Sequence, residues 1–270
     1  MTLRKTVNFI KSKFTRKTLP DKPKPEKVGW GPLVAVFITV VIYFAAQVLG
    51  ALVLGVYGNI HHWNQSTINN WLNNSVNAQF FYTVIAEGAS LLILWAILKR
   101  YKATFKTLGF NRPKLRFIWY IIVGFGVYLI GLDILTSLAK RVDQSLNLNQ
   151  QQAVGFQSAT GPELILVVIS LVILPPIVEE LLFRGFLYSG LRKVMPAIWA
   201  GLFTSILFAI PHLFESASGG LLWVAGIDTF TLSLVLVYLR EKTNSIWPCI
   251  GLHALKNGIA FLALFVFRVG

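Results

Sequence analysis

The chain has few charged residues and almost no cysteine. Only 13% of its 270 residues are charged, against roughly 25% in an ordinary soluble domain. Together with a hydrophobic content of 55%, this excludes a typical soluble enzyme and indicates a membrane protein. The one cysteine, Cys249, excludes a disulfide within the chain and a thiolate metal cluster. We interpret it as a small apolar core residue.

Acidic residues are also few, with 11 Asp and Glu against 25 Lys and Arg, so the formal net charge is +14. A basic excess can indicate nucleic-acid binding. Here, however, the basic residues form two clusters that flank apolar stretches, without the fold context of a nucleic-acid reader. Nine lie in residues 1–27 and seven in residues 99–116. We therefore predict no nucleic-acid partner, and expect these clusters to contact anionic lipid headgroups.

Long apolar runs, in contrast, are abundant. A helix needs about 20 residues to cross a bilayer, and seven stretches are placed as spans. They lie near residues 30–56, 78–98, 117–139, 162–190, 196–213, 220–239 and 246–267. The fifth is the shortest. The predicted fold is all-α, a polytopic membrane helical bundle of about seven transmembrane helices.

The loops between these spans divide the basic residues unequally. Twenty Lys and Arg lie on the side of the N-terminal tail and three on the other side, so the positive-inside rule places the N-terminus in the cytoplasm. Residues 1–27 are interpreted as a basic cytoplasmic tail and linker, either an interfacial helix or a disordered segment. We assign 28–160 to N-terminal transmembrane helices and 161–270 to a catalytic core.

Two adjacent carboxylates, Glu179 and Glu180, lie inside an apolar span. A carboxylate in a bilayer core costs at least about 2.5 to 3.5 kcal/mol, and such residues usually face a bundle interior or a water-filled cavity. Arg184 follows Glu180 by four residues, on the same helix face. Adjacent helical residues point about 100° apart. We predict that Glu180 pairs with Arg184, which leaves Glu179 facing a cavity.

The Pro175–Pro176 pair just before Glu179 interrupts helical hydrogen bonding. Two interpretations remain open. The prolines either kink the span, or restart the helix so that Glu179 lies in a first turn, where backbone N–H groups stabilise a carboxylate.

Further polar residues lie at a similar depth in neighbouring spans. From the rise of about 1.5 Å per residue, Glu179, His212, His253 and Asn257 fall roughly 16 to 24 Å from the nearest cytoplasmic helix ends. His253 and Asn257 share one helix face, as do Phe208 and His212, because each pair is four residues apart. The sequence therefore predicts a buried site inside a core of four helices.

Two chemistries fit this set. A glutamate and a histidine can activate a water molecule, while a histidine and an asparagine donate hydrogen bonds to an oxyanion. This combination would hydrolyse a peptide bond without a covalent nucleophile. Alternatively, a glutamate and two histidines could hold a metal with open positions, although the H-E-x-x-H spacing is absent. No serine or cysteine lies in a nucleophile motif such as G-x-S-x-G.

Three segments resemble the motifs of one protein family. They are EELLFR (Glu179 to Arg184), FAIPH (Phe208 to His212) and HALKN (His253 to Asn257). In this order they resemble the intramembrane endopeptidases of the CAAX-protease and bacteriocin-processing type, the CPBP or Abi family. The resemblance covers roughly residues 160 to 268. It implies an all-helical fold with a conical cavity open toward the membrane and the cytoplasm, and a glutamate-type hydrolysis.

The resemblance also implies roles, position by position. Glu179 would be the water-activating base and His212 its partner, with His253 and Asn257 stabilising the oxyanion. Glu180, Arg184 and Phe208 would support them. This mechanism needs no cofactor, and zinc is the alternative. The implied partner is a membrane-embedded or lipid-anchored peptide or protein substrate, and the expected location is a bacterial cell membrane.

Two other functions are compatible with these residues. A non-enzymatic immunity or scaffold protein is one alternative function. A small proton-coupled transporter is another, because intramembrane acids and histidines also mark proton relays, although paired repeat halves are not recognisable.

Lys256, beside Asn257, is a cation at membrane depth. We predict that Asp228 or Glu87, each about 18 Å deep, neutralises it.

Overall fold

A computed structural model of the protein describes residues 28–148, 150, 154–216 and 219–268. These residues form eight helices. They are α1 (Pro32–Ile60), α2 (Gln65–Asn74), α3 (Val76–Arg100), α4 (Phe117–Val142), α5 (Gly161–Arg192), α6 (Ala197–His212), α7 (Trp223–Thr243) and α8 (Trp247–Val266). The predicted basic tail and linker of residues 1–27 lie outside the described residues.

Six of these eight helices are long and apolar enough to cross a membrane. The exceptions in the described part of the chain are α2, which is short and polar, and α6, which is apolar but has only 16 residues. At about 1.5 Å per residue, α6 is roughly 24 Å long, somewhat less than a bilayer core. The predicted all-α membrane bundle is confirmed, with α6 as the short seventh apolar helix.

Helix α5 is the longest and the least regular. Widened, π-helical turns occupy Val168–Ile173 and Glu180–Leu187, and such turns are frequent at functional sites. The helix nevertheless continues through Pro175 and Pro176 as one unit of 32 residues. The interpretation that placed Glu179 in the first turn of a restarted helix is therefore wrong. The prolines distort the span without ending it.

The N-terminal part of the chain is attached to α5 by close packing. Trp30 donates from Nε1 to the carbonyl of Phe186 at 3.0 Å, and the two rings stack with centroids 4.6 Å apart. Gly190 of α5 faces Ala35 of α1 and the Trp30 ring, leaving no space for a side chain. The absence of a Cβ at Gly190 therefore sets how closely the two helices approach.

Lys256 pairs with one of the two carboxylates that the sequence offered as its partner. Its ammonium lies 2.8 Å from Oδ2 of Asp228, and Oδ1 of the same carboxylate accepts a hydrogen bond from the Tyr128 hydroxyl at 2.5 Å. The prediction of a neutralising carboxylate is confirmed, with Asp228 in that role. Because these three residues come from α8, α7 and α4, the ion pair also joins three helices.

Replacing Gly190 by alanine should destabilise the protein. A Cβ there would lie 2.9 Å from Cδ1 of Trp30, and overpacking of this kind typically costs about 1 to 3 kcal/mol. The matched control is Gly55→Ala in α1, where nothing lies within 4 Å of the added atom. Helix propensity alone favours alanine by about 1 kcal/mol. Thermal unfolding in detergent should therefore show a lower midpoint for Gly190→Ala only.

The Asp228→Asn variant should accumulate poorly in membranes, because it leaves the Lys256 ammonium without its counter-charge. A loss of about 1 to 2 kcal/mol is enough to change abundance several-fold. Glu87→Gln is the control, and should accumulate normally. Adding Lys256→Met should restore the level of Asp228→Asn, since the unpaired charge is then gone. Equal abundance of Asp228→Asn and the parent protein would contradict the assignment.

Candidate active site

A cavity of about 250 Å³ lies among helices α5, α6, α7 and α8. All four residues predicted to be catalytic line it, namely Glu179, His212, His253 and Asn257. The charged residues Asp228, Lys256 and Glu215 complete the polar part of the wall. The convergence expected from a common helix depth is therefore present in the structure.

Glu180 and Arg184 form the predicted pair on α5. Nη1 of Arg184 lies 3.0 Å from Oε1 of Glu180, and both side chains have an exposed fraction of 0%. The guanidinium also lies over the ring of Phe208, 4.2 Å from its centroid. A cation above an aromatic face is attracted by the ring quadrupole. The ring of Phe208 thus replaces water as a neighbour of the buried arginine.

His253 lies between the two glutamates. Its Nδ1 is 2.9 Å from the same Oε1 of Glu180 that binds Arg184, and its Nε2 is 3.9 Å from Oε2 of Glu179. With the Glu180 oxygen as the acceptor, this contact assigns a proton to Nδ1 of His253. The residue expected to support the site is therefore in direct contact with one expected to perform chemistry.

His212 is oriented by its own helix. Its Nδ1 lies 3.0 Å from the carbonyl of Phe208, one turn earlier in α6. Since a carbonyl can only accept, the hydrogen bond assigns the proton of the neutral ring to Nδ1, and leaves Nε2 as an acceptor. The side chain of Glu179, also in the cavity, is 19% exposed. Among the residues that line the cavity, Glu179 from α5 and His212 from α6 can each accept a proton.

Asn257 is anchored to the irregular part of α5. Its Nδ2 donates to the carbonyl of Leu171 at 2.9 Å, within the widened turn that precedes the two prolines. The Asn257 side chain is only partly buried and lines the cavity. One N–H of the Asn257 amide is thus held by the backbone of α5, while the residue itself lines the cavity.

The buried ring of Phe208 separates the two histidines. Its centroid is 5.3 Å from that of His212 and 5.9 Å from that of His253, the latter pair nearly perpendicular. An apolar wall in this position limits the directions from which water reaches either imidazole.

Sequence reasoning did not identify two features of the site. Glu215, just after α6, lines the cavity, and no motif or helix periodicity marks it. The contact of Asn257 with the Leu171 carbonyl was also missed, although the Pro175–Pro176 pair signals a carbonyl deprived of helical donors. In the described part of the chain, no three His, Cys, Asp or Glu side chains are arranged to hold a metal ion.

Comparison with known proteins identifies relatives of the region that carries the site. Residues 161–259 match the family described as "Type II CAAX prenyl endopeptidase Rce1-like". Two proteins of Bacillus subtilis (strain 168) are similar. "Uncharacterized protein YyaK" is 36% identical over 94 residues, 33% of this chain and 29% of the relative. "Putative membrane peptidase YdiL" is 27% identical over 185 residues, 68% of this chain and 71% of the relative.

The similarity to YyaK thus spans less than a third of that protein's length, whereas that to YdiL spans most of both chains. No solved structure matches the chain. The matched region contains all three motifs, from Glu179 to Asn257, and an integral membrane bundle surrounds them. Residues 161–259, which contain all three motifs, thus match the Rce1-like family of CAAX endopeptidases, the CPBP family.

Proposed function

We propose that the protein is an intramembrane endopeptidase that cleaves a membrane-embedded or lipid-anchored protein with a water molecule activated by Glu179 and His212. One observation carries this proposal. Glu179 and His212 line one cavity, and the hydrogen bond from Nδ1 of His212 to Phe208 leaves Nε2 of that ring as an acceptor for a water molecule that Glu179 would deprotonate. The family match of residues 161–259 supports the same reaction class.

The proposed reaction begins with a water molecule held between these two acceptors. Glu179 takes a proton from the water as its oxygen attacks the scissile carbonyl carbon. The carbon–nitrogen bond then breaks, and the proton held by Glu179 passes to the leaving amine. The products are a carboxylate and an amine, so no covalent enzyme intermediate forms. His212 orients the water molecule and shares the charge that develops on that water.

Asn257 and His253 are the proposed donors to the oxyanion. Asn257 can donate through the N–H that does not bind Leu171. His253 can donate from Nε2 only when its ring is doubly protonated, because Nδ1 already donates to Glu180. Glu180 then serves as the counter-ion of the imidazolium. This gives the buried Glu180 a second task beyond its pair with Arg184.

Replacing either acceptor should abolish cleavage. Glu179→Ala and His212→Ala should each lower kcat about 100-fold or more, in the range typical of lost general acid–base catalysis. Cleavage of a fluorogenic peptide by the purified protein in detergent or nanodiscs measures the loss. Asp133→Asn is the matched control, since it removes an exposed carboxylate of α4 that does not line the cavity.

A non-enzymatic function predicts the opposite result for these two variants. A non-enzymatic immunity or scaffold protein would keep its biological activity in Glu179→Ala and His212→Ala, provided both variants accumulate normally. Peptide cleavage by the parent protein, lost in both variants and retained in Asp133→Asn, would exclude that reading.

We propose that the reaction requires no metal. Nδ1 of His253 is already a hydrogen-bond partner of Glu180, and in the described part of the chain no three His, Cys, Asp or Glu side chains are arranged to hold a metal ion. Cleavage should therefore continue at an undiminished rate after dialysis against EDTA or 1,10-phenanthroline. Elemental analysis of the active protein provides the independent measurement. Stoichiometric zinc, together with loss of activity on chelation and its return on adding zinc, would refute this part of the proposal.

The membrane orientation is proposed from charge. With the N-terminus in the cytoplasm, the basic residues 99–116 lie at the cytoplasmic face, where anionic lipid headgroups neutralise them. We further propose a bacterial cell membrane as the location, in keeping with the two Bacillus subtilis relatives. The dependence on a prenyl group, which the family name mentions, is not part of this proposal.

A further inference from the structure

The pair Pro175–Pro176 creates a specific backbone problem in α5. In an α-helix, the carbonyl of Leu171 would accept from the N–H four residues later, and in a π-helical turn from the N–H five residues later. These positions are Pro175 and Pro176, and proline has no N–H. The carbonyl of Leu171 therefore has neither of its two possible helical donors.

Another helix supplies the missing donor. Nδ2 of Asn257, on α8, lies 2.9 Å from the carbonyl of Leu171. An unsatisfied carbonyl in a membrane protein is costly, and irregular helical backbone is tolerated where neighbouring helices satisfy it. The same amide group carries a second N–H. Because Asn257 lines the cavity that contains Glu179, fixing one N–H on Leu171 also fixes the direction of the other.

We propose that Pro175 and Pro176 are positioning residues for Asn257. By depriving the Leu171 carbonyl of both helical donors, they make that carbonyl the anchor of the Asn257 amide and direct its remaining N–H at the developing oxyanion. This inference rests on the proposed hydrolytic function, which it deepens. It gives the prolines a role beyond distorting the span.

The test is a double-mutant cycle between Pro175→Ala and Asn257→Ala, with thermal unfolding in detergent and peptide cleavage measured for each protein. Pro175→Ala supplies the missing backbone N–H, so the amide of Asn257 is no longer the required donor. We expect kcat to fall about tenfold or more, since small displacements of catalytic groups have effects of this size, with KM little changed. The unfolding midpoint should stay equal or rise.

Asn257→Ala separates the two roles of the amide. In the parent protein, it should lower the unfolding midpoint and reduce kcat about 100-fold, as loss of an oxyanion donor does. In the Pro175→Ala background, the midpoint should be unaffected, because a backbone N–H now satisfies Leu171. The kcat should remain as low as in Asn257→Ala alone. A purely structural asparagine would instead regain activity together with stability.

Two further variants provide a second test and a control. Pro176→Ala supplies a donor five residues after Leu171 without altering the cavity wall, to which Pro175 contributes, and should also lower kcat. Pro162→Ala is the control on the same helix. Pro162 is exposed in the first turn, where the N–H has no helical partner, so neither stability nor kcat should change.

The outcomes separate this inference from the function on which it rests. Parent-like kcat in both Pro175→Ala and Pro176→Ala would overturn the positioning role. An equal loss of stability from Asn257→Ala in the parent and Pro175→Ala backgrounds would overturn the anchor itself. The stability arm is readable without any substrate. Undiminished cleavage by Glu179→Ala would reject the proposed mechanism and leave the Leu171 anchor intact.

Discussion

One oxygen atom, Oε1 of Glu180, connects two of the four helices that form the site, α5 and α8. It accepts from Nη1 of Arg184 at 3.0 Å and from Nδ1 of His253 at 2.9 Å. Removing one member of a buried pair leaves an uncompensated charge, and costs about 3 to 5 kcal/mol. Glu180 and Arg184 are within one helix, so their contact alone would position nothing else. The bond to His253 joins α8 to α5, as does the bond from Asn257 to the Leu171 carbonyl.

Helix α5 accepts side-chain hydrogen bonds in both of its irregular stretches. Side chains of three other segments donate to backbone carbonyls within its widened turns. Trp30 donates to Phe186, Arg240 to Arg184 at 3.3 Å, and Asn257 to Leu171. In a membrane, each such carbonyl needs a protein donor. The helix that carries the glutamates is thus held by side-chain hydrogen bonds from three other segments of the described chain.

Local spacing and hydropathy were sufficient for part of this arrangement. The spans follow from composition, because apolar runs of about 20 residues have few other uses. The Glu180–Arg184 pair follows from a separation of four residues on one helix. The choice of Asp228 over Glu87 for Lys256 did not follow, since both lie at similar depth and the decision depends on how each helix is rotated. Short α2 was missed because its apolar residues, Ile68, Trp71 and Leu72, span little more than one helical turn in an otherwise polar segment.

The two adjacent glutamates show how strongly surroundings determine the use of a side chain. Glu180 is completely buried, and one of its oxygens accepts two charge-assisted hydrogen bonds, so abstracting a proton would compete with both partners. Glu179 is partly exposed to the cavity, and its contact with Nε2 of His253 is long, at 3.9 Å. Its lone pairs therefore remain accessible to a water molecule. A turn of about 100° between neighbouring residues is enough to fix one carboxylate as a counter-ion and to leave the other available for its proposed role as a base.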